Sequence, residues 1–186
     1  MVKRQRIVIT GRVQGVGFRP AVHKIATKLG LGGFVYNDTN GVTLELQGQA
    51  EKIAAFLTEL QSGFDRPPLA QIKSCLAIDI AVVEGQGEFT IKASDSKGTP
   101  LSQVTADMAI CGDCLAEMMD KSDFRYRYPF INCTNCGPRY SIVKTIPYDR
   151  ANTTMSAFAM CGKCGEQYKD VTDRRFHAQP VACGTC

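Results

Sequence analysis

The chain has 186 residues, 44% of them apolar and 22% charged, with a formal net charge of +4. That length suits one large or two small domains, and that balance excludes a disordered or fibrous chain. No apolar run approaches the roughly 20 residues that cross a bilayer, and the basic start Met1–Arg6 precedes only Ile7-Val8-Ile9, so a cytoplasmic protein with no membrane partner is expected.

From the N-terminus, Ile7–Thr10 reads as a strand, followed by a loop from Gly11 to Gly17. Pro20–Leu29 predicts an amphipathic helix with Ala21, Val22, Ile25, Ala26 and Leu29 on one face and Pro20 in its first turn, where a missing N–H is tolerated. Phe34–Asn37 and Val42–Gln47 predict two strands joined through Asp38-Thr39-Asn40-Gly41, whose Asn-Gly is a hairpin signal. Glu51–Leu60 predicts a second helix through Ile53, Phe56, Leu57 and Leu60, and Arg66-Pro67-Pro68 a loop stop. Ile72–Val83 and Phe89–Ile91 complete the strands, with Cys75 as a small buried hydrophobe. The order is βαββαβ with an extra edge strand, an α+β sandwich of the ferredoxin-like type.

The segment Gly11-Arg12-Val13-Gln14-Gly15-Val16-Gly17-Phe18-Arg19 joins a strand to a helix. Its glycines let successive backbone N–H groups turn inward as an anion nest at a helix N-terminus, and Arg19 adds a two-pronged cationic donor. These features suit a phosphate group, although a plain structural turn accounts for the glycines equally well. The nucleotide-binding templates do not fit: Pro20 stands where the dinucleotide motif requires Gly or Ala, and neither Gly11 nor Gly15 begins Gly-x4-Gly-Lys. Asn37 precedes a turn, where Asn is common for backbone reasons alone. His23, one helical turn beyond Arg19, is assigned to the surface or to packing.

The run Gly11 to Arg19 matches Gly-x-Val-Gln-Gly-Val-x-Phe-Arg and so resembles the acylphosphatase family signature. Asn37 stands where that family places its second catalytic residue, and Phe89-Thr90-Ile91 is similar to its last strand. The resemblance implies hydrolysis of an acyl phosphate without a covalent nucleophile. Gln14, Gly15, Val16, Gly17, Phe18 and Arg19 are the expected phosphate-binding residues, and Asn37 is expected to hold the attacking water; Arg19 and Asn37 are the catalytic pair.

Eight of the nine cysteines form four Cys-x-x-Cys pairs at 111/114, 133/136, 161/164 and 183/186, so the chain divides near residue 100. The expected domains are 1–93 and 106–186, joined by a polar, Gly/Pro-containing linker at 94–105. Without a secretion signal, such pairs read as metal ligands before disulfides. The spacing C-x2-C-x18-C-x2-C-x24-C-x2-C-x18-C-x2-C is a 50-residue repeat, and Asp123, Arg125 and Tyr126 keep that offset to Asp173, Arg175 and Phe176. Four pairs can combine as adjacent, nested or alternating sites; equal x18 intervals favour the adjacent choice. One structural zinc is then expected on Cys111, Cys114, Cys133 and Cys136, and another on Cys161, Cys164, Cys183 and Cys186.

Two Zn(Cys⁻)4 centres would bring the net charge to about zero, so a nucleic-acid partner is not expected. The runs Phe124–Ile131 and Asp173–Pro180 interleave aromatics with arginines, and the aromatics are expected to pack across a small metal-held core. With eight cysteines completing two tetrahedra, His177 is left as structural.

The segments Tyr126–Arg139 and Arg174–Cys183, taken with the signature at Gly11, resemble the N-terminal portion of the HypF carbamoyltransferase family of [NiFe]-hydrogenase maturation. That resemblance implies carbamoyl phosphate as substrate, a HypE-like partner, and YrdC-like and Kae1-like domains that perform the later steps. The chain stops at Cys186 and shows no ATP-binding motif, so either it is a fragment or the remaining machinery is a separate polypeptide. A non-catalytic, zinc-dependent phosphate-binding or interaction scaffold is the alternative.

Overall fold

A computed structural model describes residues 1–62, 67–95 and 106–186. Arg66 of the expected loop stop, and residues 96–105 of the expected linker, lie outside the described residues. The N-terminal half forms strands β1 (Val2–Arg12), β2 (Gly32–Asn37), β3 (Val42–Gln49), β4 (Gln71–Ile80) and β5 (Phe89–Ile91), with helices α1 (Phe18–Lys28) and α2 (Ala50–Ser62). The sheet order is β4-β1-β3-β2-β5. β1 runs antiparallel to β3 and β4, β2 antiparallel to β3, and β5 parallel to β2. This is the ferredoxin-like arrangement of two split βαβ units, with β5 as the added edge.

Ile7 and Ile9 of β1, Val35 of β2 and Leu44 and Leu46 of β3 meet Val22, Ile25, Ile53, Phe56 and Leu60 of the helices in one buried core. Burial of each such side chain contributes about 1.5–3 kcal/mol, which holds both helices to one face of the sheet. β1 begins at Val2, five residues before the first apolar triplet, because Arg4 and Arg6 on the opposite face both pair with Glu45 of β3. β4 ends at Ile80 rather than Val83, and Cys75 is half-buried at this edge strand rather than fully buried.

The second half is built twice. Cys111 and Cys161 each precede a short helix, α3 (Gly112–Met119) and α4 (Gly162–Lys169), whose third residue is the next cysteine of the pair. The Asp120 and Asp170 carboxylates accept hydrogen bonds from the backbone and hydroxyl of Ser122 and Thr172. Asp123 and Asp173 accept from the backbone N–H of Arg125 and Arg175. Arg127 and His177 sit at the same point of the two repeats, at φ 58° and 54°, and donate their N–H to the carbonyls of Met118 and Tyr168. Residues offset by 50 thus repeat the same local hydrogen bonds around each cysteine set.

Arginines join the two units. Arg125 Nε donates to the Ala182 carbonyl and Arg175 Nε to the Asn132 carbonyl, both at 3.0 Å, a reciprocal exchange about a pseudo-twofold axis. Both guanidinium groups are 1% exposed. Of the first unit's aromatics Tyr128 packs against its core while Phe124, Tyr126 and Phe130 are exposed, whereas Phe176 of the second is buried. The arginines take the interior because the sulfur clusters give them acceptors there.

Candidate active site and metal centres

Each set of four cysteines converges as the equal x18 intervals predict, in adjacent pairing. The four sulfurs of Cys111, Cys114, Cys133 and Cys136 lie within 4.8 Å of one another, as do those of Cys161, Cys164, Cys183 and Cys186. Neighbouring sulfurs are 3.6–3.8 Å apart, and a tetrahedral zinc with Zn–S bonds near 2.3 Å spaces its sulfurs by about 3.8 Å. Hydrogen bonds from Cys114 and Cys133 hold the Cys136 thiol well below its usual range, while its bonds to Cys133 and Cys136 push Cys114 above it. Cations also reach the sulfurs from the opposite unit: Arg174 Nη1 lies 2.9 Å from Cys114 Sγ and Arg125 Nη2 3.1 Å from Cys164 Sγ. All-sulfur donor sets with such outer partners fit a soft, tetrahedral divalent metal.

The phosphate-loop candidate closes the end of β1. Gly15 and Gly17 adopt φ of 70° and 76°, the left-handed region that favours glycine, and Gly17 caps α1 so that the helix begins at Phe18. Both glycines also lie flush against the second half. A Cβ on Gly15 would fall 2.7 Å from Pro138 Cβ and 2.8 Å from Tyr148 Cδ1, and one on Gly17 would fall 2.8 Å from Thr134 Cβ. Arg19 leaves the first turn of α1 and is 7% exposed. Asn37 ends β2 and is 1% exposed; with its carboxamide oxygen turned toward Arg19 it accepts from Nε and Nη2, both at 3.2 Å. Arg19 Nη2 also donates to Asp149 at 2.7 Å, and Nη1 approaches Ser94 Oγ at 3.4 Å.

The loop is therefore roofed by the cysteine-rich half. A cavity of about 20 Å³ lies between them. Its sandwich side is formed by Val13, Gly15, Gly17, Phe18, Arg19, Pro20 and Asn37, and Asn132, Thr134, His177 and Gln179 face them from the other half. Gln14 and Val16 stand apart from it. The Gln14 carboxamide donates to the carbonyls of Asp38 and Gly41 at 2.7 Å and accepts from Tyr148 N–H at 3.0 Å, and Val16 is buried in the sandwich core. A more open cavity of about 260 Å³ lies on the far side of Arg19, His177 and Gln179, next to Lys92, Asp149 and Tyr168.

Sequence reasoning missed the residues of the roof. Burial, followed by the charge of Arg19, lowers the His177 pKa to about 4, so it presents a neutral imidazole here. Asp149 is placed by its neighbour: Arg150 donates to the carbonyls of Gln179, Val181 and Phe158. The usable signal was the specificity of the segments around Asn132 and His177, read in the sequence as a family resemblance and not as part of the phosphate site. His23 fills a packing role, with its ring 6.1 Å from those of Phe89 and Phe176.

Comparison with known proteins settles the family. The acylphosphatase family profile matches residues 5–91, and that of the HypF finger matches 110–143 and 160–186. The chain is 47% identical over 182 residues to the carbamoyltransferase HypF of Rhodobacter capsulatus, covering 97% of this chain and 24% of that one. The chain belongs to the HypF family. A crystal structure of full-length HypF in a phosphate- and nucleotide-bound form superposes with a TM-score of 0.92 at 48% identity, covering all of this chain and 24% of that one. HypF from T. kodakarensis superposes with a TM-score of 0.81 at 40% identity over 99% of this chain and 23% of that one. The N-terminal half alone is 38% identical over 90 residues to an acylphosphatase of Methylococcus capsulatus, covering 91% of it. The chain thus spans about a quarter of its HypF relatives and joins their acylphosphatase-like sandwich to their fingers. Among the described residues no helix is long and apolar enough to cross a membrane.

Proposed function

We propose that this chain carries the acyl phosphate hydrolase site of a HypF carbamoyltransferase, with carbamoyl phosphate as substrate. The observation that carries it is the Arg19–Asn37 pair: two buried polar groups, 3.2 Å apart, beside a left-handed glycine loop. The Arg19 guanidinium and the loop amides bind the phosphoryl oxygens and stabilise the charge that builds on them. The Asn37 oxygen is committed to Arg19, so its NH2 group holds the oxygen of the attacking water. Water oxygen bonds to phosphorus, the bridging P–O bond breaks, and carbamate leaves with the bond pair while the water proton remains on inorganic phosphate.

Under this reading residues 1–93 form the catalytic domain, 94–105 the linker and 106–186 a finger domain holding two structural zinc ions. Bound zinc would supply cross-linking, not chemistry on the substrate. A HypE-like acceptor and the YrdC-like and Kae1-like domains would then use the carbamate.

Phosphate release from carbamoyl phosphate tests this. Arg19→Ala is expected to lower the rate by about 10²–10³ with the fold intact; equal rates in both proteins would overturn the reading. One observation favours the scaffold alternative, namely that Asp149 already occupies Arg19. Phosphate binding without turnover by the metal-loaded protein would support it.

A further inference from the structure

Asn132 carries a carboxamide into the roof where the second unit has a methyl group. Its backbone carbonyl accepts from Arg175, and at the same place in the second unit the carbonyl of Ala182 accepts from Arg125. The two positions do the same architectural work, and the second does it with a methyl group. The Asn132 side chain is 3% exposed and lines the cavity beside Arg19 and Asn37. Its Nδ2 donates to the Gly137 carbonyl at 3.3 Å, while its Oδ1 is buried without a hydrogen-bond partner among the described residues. Burial of an amide oxygen with no donor is unfavourable, and alanine at the sister position presents the same backbone carbonyl without it.

A carboxamide oxygen only accepts hydrogen bonds, so it is repelled by phosphoryl oxygens and suits a neutral N–H donor. The Arg19 guanidinium already marks the anionic end of the site. Given the hydrolase reading above, on which this step rests, the substrate has one group of the required kind, the NH2 of its carbamoyl end. Acetyl phosphate carries a methyl group there and offers no donor. We infer that Asn132 is a specificity-determining residue, contributed by the first finger, whose Oδ1 accepts a hydrogen bond from the carbamoyl N–H and selects carbamoyl phosphate over other acyl phosphates. A site that hydrogen-bonds an N–H discriminates strongly against an analogue lacking it, because the polar group is then left unpaired.

The test compares carbamoyl and acetyl phosphate on the full chain and on Asn132→Ala, the residue the second unit already tolerates, with Asn132→Leu to keep the volume. Both variants are expected to lower kcat/KM for carbamoyl phosphate roughly tenfold or more and to leave acetyl phosphate within twofold. Equal losses on both substrates would place Asn132 on the attacking water or on the fold and overturn the inference; so would no change on either. Calorimetric binding of the same two compounds separates this outcome from failure of the hydrolase reading. With no phosphate release at all, a preference for carbamoyl phosphate that Asn132→Ala abolishes still supports the inference, and an unchanged preference overturns it.

Discussion

Asp149 Oδ1 lies 2.7 Å from Arg19 Nη2, joining residues 130 apart in sequence and on opposite halves of the molecule. The carboxylate stands on the guanidinium that the proposed reaction assigns to the phosphoryl group. An incoming phosphate must share that cation with Asp149 or displace it: the cavity of about 20 Å³ between Arg19 and Asn132 has room for little more than a water, and the larger one of about 260 Å³ lies on the Asp149 side of the guanidinium.

Asp149→Asn removes the competing charge and keeps the shape. Inorganic phosphate is expected to bind about tenfold more tightly, equivalent to ~1.4 kcal/mol, as measured by competition against turnover or by calorimetry. Weaker binding would show instead that Asp149 serves to orient Arg19.

The paired arginines give a stability prediction. Arg125 is 1% exposed and bonds Ala182 and Cys164 across the pseudo-twofold axis. Arg125→Ala leaves a carbonyl and a sulfur of the other unit without their cationic donor, and a loss of about 3 kcal/mol is expected. Thermal unfolding of the metal-loaded protein followed by tryptophan-free near-ultraviolet signals from tyrosine measures it, since the chain contains no tryptophan.

Chelation separates the halves. Among the described residues the sandwich has its own core of eighteen buried hydrophobic residues, whereas each finger's core cluster buries four, three of them cysteines in the first and two in the second. Removing the metal is expected to abolish tertiary structure in 106–186 while the sheet persists, seen as protection from amide exchange lost only from the finger half.

His177 makes the roof acid-sensitive. Its folded pKa is lowered to about 4, against about 6.5 for an unperturbed histidine, so between those values the unfolded chain binds the extra proton. The stabilisation is complete above about pH 6.5 and is lost as pH falls toward 4. His177→Gln is expected to flatten that slope in denaturant titrations, leaving the losses due to protonation of the cysteine sulfurs and of ion-paired carboxylates such as Glu45 and Glu117.

The βαββαβ order was legible because the core of each element repeats at its own period, from Ile7 and Ile9 to Val22 and Ile25. The grouping of the cysteines was legible because the two x18 intervals are equal. The closed roof was not. It depends on pairs such as Gln14 with Tyr148 and Arg19 with Asp149, more than 100 residues apart, and no local pattern encodes them. The burial of Arg125 and Arg175, legible only as repeated positions, was hidden for the same reason: each has its acceptors on the other repeat. The start of β1 was missed because its first residues are charged, and their partner Glu45 lies on β3.

The exchanged arginines also bear on how the two fingers fill and empty. Cys114 draws a hydrogen bond from Arg174 of the second unit and Cys164 one from Arg125 of the first. Loss of metal from either site would loosen the segment that steadies sulfur at the other, so occupancy of the two centres is expected to be coupled, with half-loaded protein the least favoured state and a single cooperative step in a metal titration.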